Sequence, residues 1–147
     1  MEIHQILHRL QKLASDSPAQ FGVMSPQHMV EHLSLTVKIS YDRIKIPEFE
    51  PGKNELVLKQ ELLYSSIQFP RGIRAPGLGE GALLPLRFSN LNEAKEELLK
   101  SLTNYTRYFK ENPEARPVHP RFGRLMHGEW EIFHAKHFEH HLRQFGV

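Results

Sequence analysis

The chain of 147 residues contains no cysteine. That absence excludes disulfides, a thiolate nucleophile and cysteine-based zinc fingers, and leaves imidazole and oxygen as the donors for any metal. Charge of either sign is scarcely in excess: 19 Lys and Arg stand against 17 Asp and Glu, a formal net charge of +2 with histidine neutral. The basic residues are scattered and form no stripe, so a nucleic-acid role starts weak. No apolar run approaches the roughly 20 residues that a membrane helix needs. The start, Met1-Glu2-Ile3-His4-Gln5, lacks a basic region followed by an apolar one, so no signal peptide is expected and cytoplasm is the expected location. There is no repeat of solenoid type. Glycines between Phe69 and Gly81 match neither the dinucleotide nor the P-loop spacing, and no strand precedes them, so they are not read as a phosphate cradle.

What is present is ordinary for one folded domain over residues 1–147: 39% hydrophobic and 24% charged residues. Ile3, Ile6, Leu7, Leu10 and Leu13 recur at helical spacing and predict a first helix over about 2–15, ended by Asp16-Ser17-Pro18. Ser25-Pro26, a capping residue followed by proline at the first helical position, opens a second helix expected to reach about residue 44. Asn90-Leu91-Asn92-Glu93 opens a third, which Asn112-Pro113 stops. The fourth begins near Met126 and ends at Phe145-Gly146, glycine being suited to the left-handed position after a helix. About 45 residues separate the second and third helices, far more than a bundle hairpin uses. Such a crossover, with a short helix over about 54–66, allows those helices to run parallel. The expected fold is all-α: a four-helix bundle, up-down-down-up.

Histidine is concentrated in the fourth helix, at His134, His137, His140 and His141, with Gln144 beyond. At about 100° per residue, Trp130, His137, His141 and Gln144 fall within roughly 60° of one another. Imidazoles at i and i+4 stack on neighbouring turns and can grip one ion. Glu139 sits between them, turned about 160° from His137, so neither the zincin pattern nor its inverted form fits. A third ligand has to come from elsewhere. On the second helix His32 lies well inside the apolar arc and His28 nearer its polar edge, which favours His32, while Glu31, Lys38, Asp42 and Lys45 fill the polar remainder. His32 stands about 10 Å from the start of its helix, and His137 and His141 about 6–12 Å from the end of theirs, so antiparallel packing levels all three. A packed or solvated histidine is the plainer reading of His134 and His140. Trp130 reads as core. Arg71, Arg74 and Arg87 read chiefly as solvated crossover charges, with an anionic substrate as the alternative.

The run His119-Pro120-Arg121-Phe122-Gly123-Arg124-Leu125, then Glu129-Trp130 and His137-Phe138-Glu139-His140-His141-Leu142-Arg143-Gln144, resembles the DinB/YfiT-like metalloenzyme superfamily. Ser25-Pro26-Gln27-His28-Met29-Val30-Glu31-His32-Leu33 is similar to that family's second-helix motif. The resemblance implies an up-down-down-up bundle, often a homodimer, holding a divalent zinc or nickel ion on His32, His137 and His141. It implies no polymerase activity. The chain departs from the pattern at His127, where a Ser or Thr cap is usual, and at His28, where Gln is common; the second departure leaves a four-histidine site open.

The expectation is a metal-dependent enzyme acting on a small molecule, as a hydrolase or a thiol-dependent transferase with a thiol or thioester substrate. No carboxylate shares the arc of the three histidines, so the usual general base is missing. His134, about 60° from His137, and Gln144 are the nearest catalytic candidates, for proton handling or orientation. The alternatives are a non-catalytic metal-binding module and, less favoured, a stress-related nucleic-acid-binding protein suggested by a pI of 8.9. A mobile flap is expected over residues 69–81.

Overall fold

A computed structural model of the chain describes residues 2–71 and 83–147. Among these residues the protein is predominantly helical, with five helices and one minimal antiparallel ladder: α1 (Ile3–Gln11), α2 (Pro26–Ser40), α3 (Lys53–Tyr64), α4 (Leu91–Glu111), β1 (Val118–His119), β2 (Gly123–Arg124) and α5 (His127–Gln144). The expected third and fourth helices are thus α4 and α5, and α3 lies in the crossover. No described helix is long and apolar enough to cross a membrane.

Local chemistry sets the helix ends. Ser25 Oγ accepts from the His28 backbone N–H (3.1 Å) and Pro26 follows it, so α2 starts where the sequence predicts. It stops at Ser40, four residues short of the expected end. Asp42 takes a left-handed φ of 59°, and the N–H groups of Arg43 and Ile44 both turn back to the Lys38 carbonyl. Helix α1 is also shorter than expected, because Lys12 and Leu13 donate to Arg9 and Leu10 in tighter i to i−3 bonds. Asn90 Oδ1 caps α4 through the Glu93 N–H (2.9 Å). At α5 the cap position is Met126, and His127 is the first helical residue instead of a substitute cap; Glu129 accepts from the Met126 N–H (3.0 Å).

The core is one apolar cluster. Met29, Leu33 and Val37 of α2 meet Leu98 and Leu102 of α4, and Trp130, Phe138 and Leu142 of α5 join them. Each such side chain contributes about 1.5–3 kcal/mol on burial. Side-chain contacts fix the helix directions. Along α2 and just past its end, Glu31 bonds to Arg87 ahead of α4, Lys38 to Glu97 and Asp42 to Tyr108, so α2 and α4 run the same way. His32 meets His137 whereas Ser40 meets His134, so α2 and α5 run in opposite directions.

Glu31 corrects the wheel reading, which placed it with the solvated charges. It is 4% exposed, and its carboxylate accepts from the Arg87 N–H (2.7 Å) and from Gln27 Nε2 (2.9 Å). These bonds hold its pKa below the usual carboxylate value against the opposing effect of burial. They pin the returning crossover to α2. The outgoing crossover is pinned to α5: Lys136 Nζ donates to the carbonyls of Leu62, Ser65 and Ile67 (2.5, 2.8 and 2.7 Å).

The ladder has no periodic signal in the sequence. Val118 pairs with Arg124 and His119 with Gly123, whose φ is +72°. Its turn is built by His119, whose buried Nδ1 accepts from the N–H groups of Arg121 (3.0 Å) and Phe122 (3.2 Å).

Candidate metal centre

Antiparallel packing of α2 on α5 brings three imidazoles together. His32 Nε2 lies 2.9 Å from His137 Nε2, and His141 Nε2 lies 3.2 Å from the same atom. Taking one ligand atom from each ring, all lie within 4.8 Å of one another. Donors about 2.0–2.1 Å from a tetrahedral ion stand roughly 3.3 Å apart, close to the two distances from His137, while the widest separation of the trio needs His32 and His141 to draw slightly together around one ion. His137 and His141 are buried, 3% and 7% exposed, and His32 is half-buried.

Burial, reinforced by the neighbouring imidazoles, pushes His32 down to about 4, His141 to about 3 and His137 well below the ordinary histidine value. All three rings are therefore neutral at pH 7, the form that offers a lone pair to a metal. The hydrogen bonds settle one tautomer. Gln144 Nε2 donates to the Phe21 carbonyl (3.0 Å), which turns its Oε1 toward His141 Nδ1 (2.9 Å). His141 Nδ1 must then carry the proton, and its Nε2 presents a lone pair to the cluster. The approach requires Gly22: its φ is +78°, and a Cβ there would stand 2.7 Å from Gln144 Nε2.

His137 has no such support. Its Nδ1 is buried with no partner among the described residues, and the ring lies between Phe133 and Phe69, each 5.1 Å away by ring centroid. Phe69 also contacts His140 (5.1 Å), and His140 contacts Phe21 (5.2 Å). Burial, and the charge of Arg71 after it, lowers the His140 pKa. Arg71 lies over the Phe21 ring, 3.9 Å from its centroid.

The remaining histidines of interest lie outside the cluster. His134 is completely buried, its Nε2 2.8 Å from Ser40 Oγ and its ring stacked on Trp130. His28 Nδ1 bonds to Ser25 Oγ (2.6 Å) beside its own helix cap. His127 stacks on Phe109 and pairs with Glu131. Trp130 is core, with Nε1 donating to the Pro117 carbonyl. Arg87 is paired with Glu31, whereas Arg74 and most of the expected flap lie outside the described residues. Phe21 and Phe69 line the site without any signal in the sequence. Both sit on irregular segments, where periodicity gives no facing direction.

Residues 69–146, more than half of the chain, match the model of a family described as a protein of unknown function (DUF1569), and the chain belongs to that family. The matched stretch carries His137, His141 and Gln144, while His32 precedes it. No curated protein and no solved structure matches the chain.

Proposed function

We propose that the chain is a DinB/YfiT-like four-helix bundle of up-down-down-up topology, formed by α1, α2, α4 and α5, in which His32, His137 and His141 hold a divalent zinc or nickel ion. In this reading it is a cytoplasmic metal-dependent enzyme acting on a small molecule, as a hydrolase or a thiol-dependent transferase, with a homodimer as the expected assembly. The observation that carries it is the convergence of three neutral Nε2 atoms on one another. Hydrogen bonding alone satisfies such a trio poorly, since three imidazole nitrogens offer few complementary pairs. A divalent ion on three imidazoles with a position left open polarises a carbonyl, or lowers the pKa of a bound water or thiol.

The chain's own residues supply orientation and exclusion of water. Gln144 acts through His141 as a positioning residue, fixing which nitrogen faces the centre. Phe69 and Phe133 shield His137 from solvent. The cluster includes no carboxylate, which favours chemistry with a nucleophile that needs little from a protein base, such as a thiol. His134, the other catalytic candidate, has its Nε2 committed to Ser40, and a role in holding α2 on α5 suits it better.

A non-catalytic metal module is the second reading, favoured by one observation: the ligands join α2 to α5, so an ion there ties two helices together. Elemental analysis of dialysed, untagged protein tests the centre. Near-stoichiometric zinc or nickel in the wild type, lost in His32→Ala, His137→Ala and His141→Ala, is the expected result. A folded wild type that retains no metal and takes up none would sink both readings. Azide binding to the cobalt-substituted protein, seen as a change in its visible spectrum, would favour the enzyme by revealing an open position.

A further inference from the structure

Beside the three histidines lies a wall of aromatic rings that carries a guanidinium. Arg71 lies over the ring of Phe21, Phe21 packs at a tilt against His140, and Phe69 contacts both His140 and His137. The neighbouring carboxylates are committed elsewhere. Glu139, next to His140, is paired with Arg9 and Arg143, and Glu31, next to His32, is engaged by Arg87 and Gln27. Among the described residues no carboxylate pairs with Arg71. The Phe21 backbone is itself fixed to the centre, because its carbonyl takes the Gln144 amide that orients His141.

Three imidazoles bring no negative charge to a divalent ion, unlike a site with a carboxylate ligand. Next to such an ion, the Arg71 guanidinium, with no carboxylate partner among the described residues, adds a second positive pole on the same aromatic wall. We propose that the site takes a substrate with two anionic or anion-forming ends, one directed to the tri-histidine centre and the other a carboxylate received by Arg71. A carboxylate matches the planar fork of a guanidinium with two parallel hydrogen bonds. The face of Phe21 holds that fork in a defined plane, which lowers the entropy lost on binding. Substrates with a neutral tail would leave Arg71 unpaired and forgo this contact. The inference names the substrate class of the metal centre proposed above and rests on that centre.

The test uses the zinc-loaded full chain and calorimetric binding, with no activity needed. The probes are the monohydroxamates of succinic and glutaric acid and the methyl esters of both, which share a metal-binding head and differ in the charge of the tail. At least one acid is expected to bind about tenfold or more tightly than its ester, as a charge-assisted hydrogen-bonded pair allows. Arg71→Met keeps an apolar stem over Phe21 but removes the charge, and is expected to abolish the gap while leaving ester binding unchanged. Acid and ester binding equally at both lengths, or a gap that survives in Arg71→Met, would overturn the assignment of Arg71 alone. Failure of all four hydroxamates to bind the zinc-loaded chain would mean that the ion offers no open position, which overturns the enzyme reading and this inference with it.

Discussion

His134 and His137 sit one turn apart on the same helix and share nearly every property by which a site is usually sought. Both are interior, 0% and 3% exposed, and burial keeps both neutral. Each has an Nδ1 without a partner among the described residues, and each is packed among aromatic rings. The difference lies in what Nε2 faces. For His134 it is the Ser40 hydroxyl at 2.8 Å, which donates its own proton to the Val37 carbonyl (2.6 Å) and so accepts from His134 Nε2–H. For His137 it is two other imidazole nitrogens, at 2.9 and 3.2 Å. Burial and a depressed pKa therefore do not separate a core histidine from a candidate ligand. What sets His137 apart is the convergence of like donor atoms with no complementary group between them.

Exchanging the roles of the two residues is the sharpest way to break this comparison, and the effect should be the largest. His134→Ala removes a packed ring and its hydrogen bond to Ser40, so stability should fall by on the order of 3 kcal/mol while the metal content stays at the wild-type level. His137→Ala should abolish metal retention. Urea unfolding in the presence of chelator, together with elemental analysis of both variants, gives the two readouts. A stable His134→Ala protein devoid of metal would place His134 at the centre and undo the distinction.

The comparison can be sharpened within the centre, where His141 is held from behind and His137 is not. Gln144→Met keeps much of the volume but removes the acceptor for His141 Nδ1–H. Loss of such a partner typically weakens metal affinity by about 10–100-fold. Competition with a chromophoric chelator measures it. Unchanged affinity would mean that packing alone orients His141, as it does His137.

The three clustered histidines are legible in the periodicity of the sequence. His137 and His141 share a stripe at i and i+4, His32 lies inside the apolar arc of its helix, and Ser25-Pro26 fixes where that helix starts and hence how high His32 stands. The helical class and the presence of a crossover helix followed from the same patterns. Residues whose partners come from irregular segments were not legible. Glu31 reads as a solvated charge because its partner Arg87 arrives 56 positions later in the crossover. His134 reads chiefly as a packed or solvated histidine and also as a candidate proton handler, because a wheel places it near His137 without registering Tyr105 at its edge or Ser40 at its tip. The end of α2 depends on a left-handed Asp42, which the sequence permits but does not signal. The two-residue ladder is too short for any alternation to form.

Acid offers the gentlest probe of the two environments. His134 has a folded pKa of about 3, lowered by burial, against an ordinary value of 6.5. Between those values the unfolded chain binds a proton that the folded chain refuses, so stability is fully present above about pH 6.5 and falls as pH drops toward 3. Within that window one such histidine contributes a slope of up to about 1.4 kcal/mol per pH unit. His119 and the three clustered histidines slope the same way, since burial lowers each of them. The informative quantity is therefore a difference. In metal-free protein, His134→Gln should flatten the dependence of urea-unfolding stability on pH between about 4 and 6 by up to one proton's worth. Equal slopes in the two proteins would mean that His134 is already reached by water and protons in the folded chain. The hydroxyl of Ser40 would then no longer mark it off from the ligand one turn away.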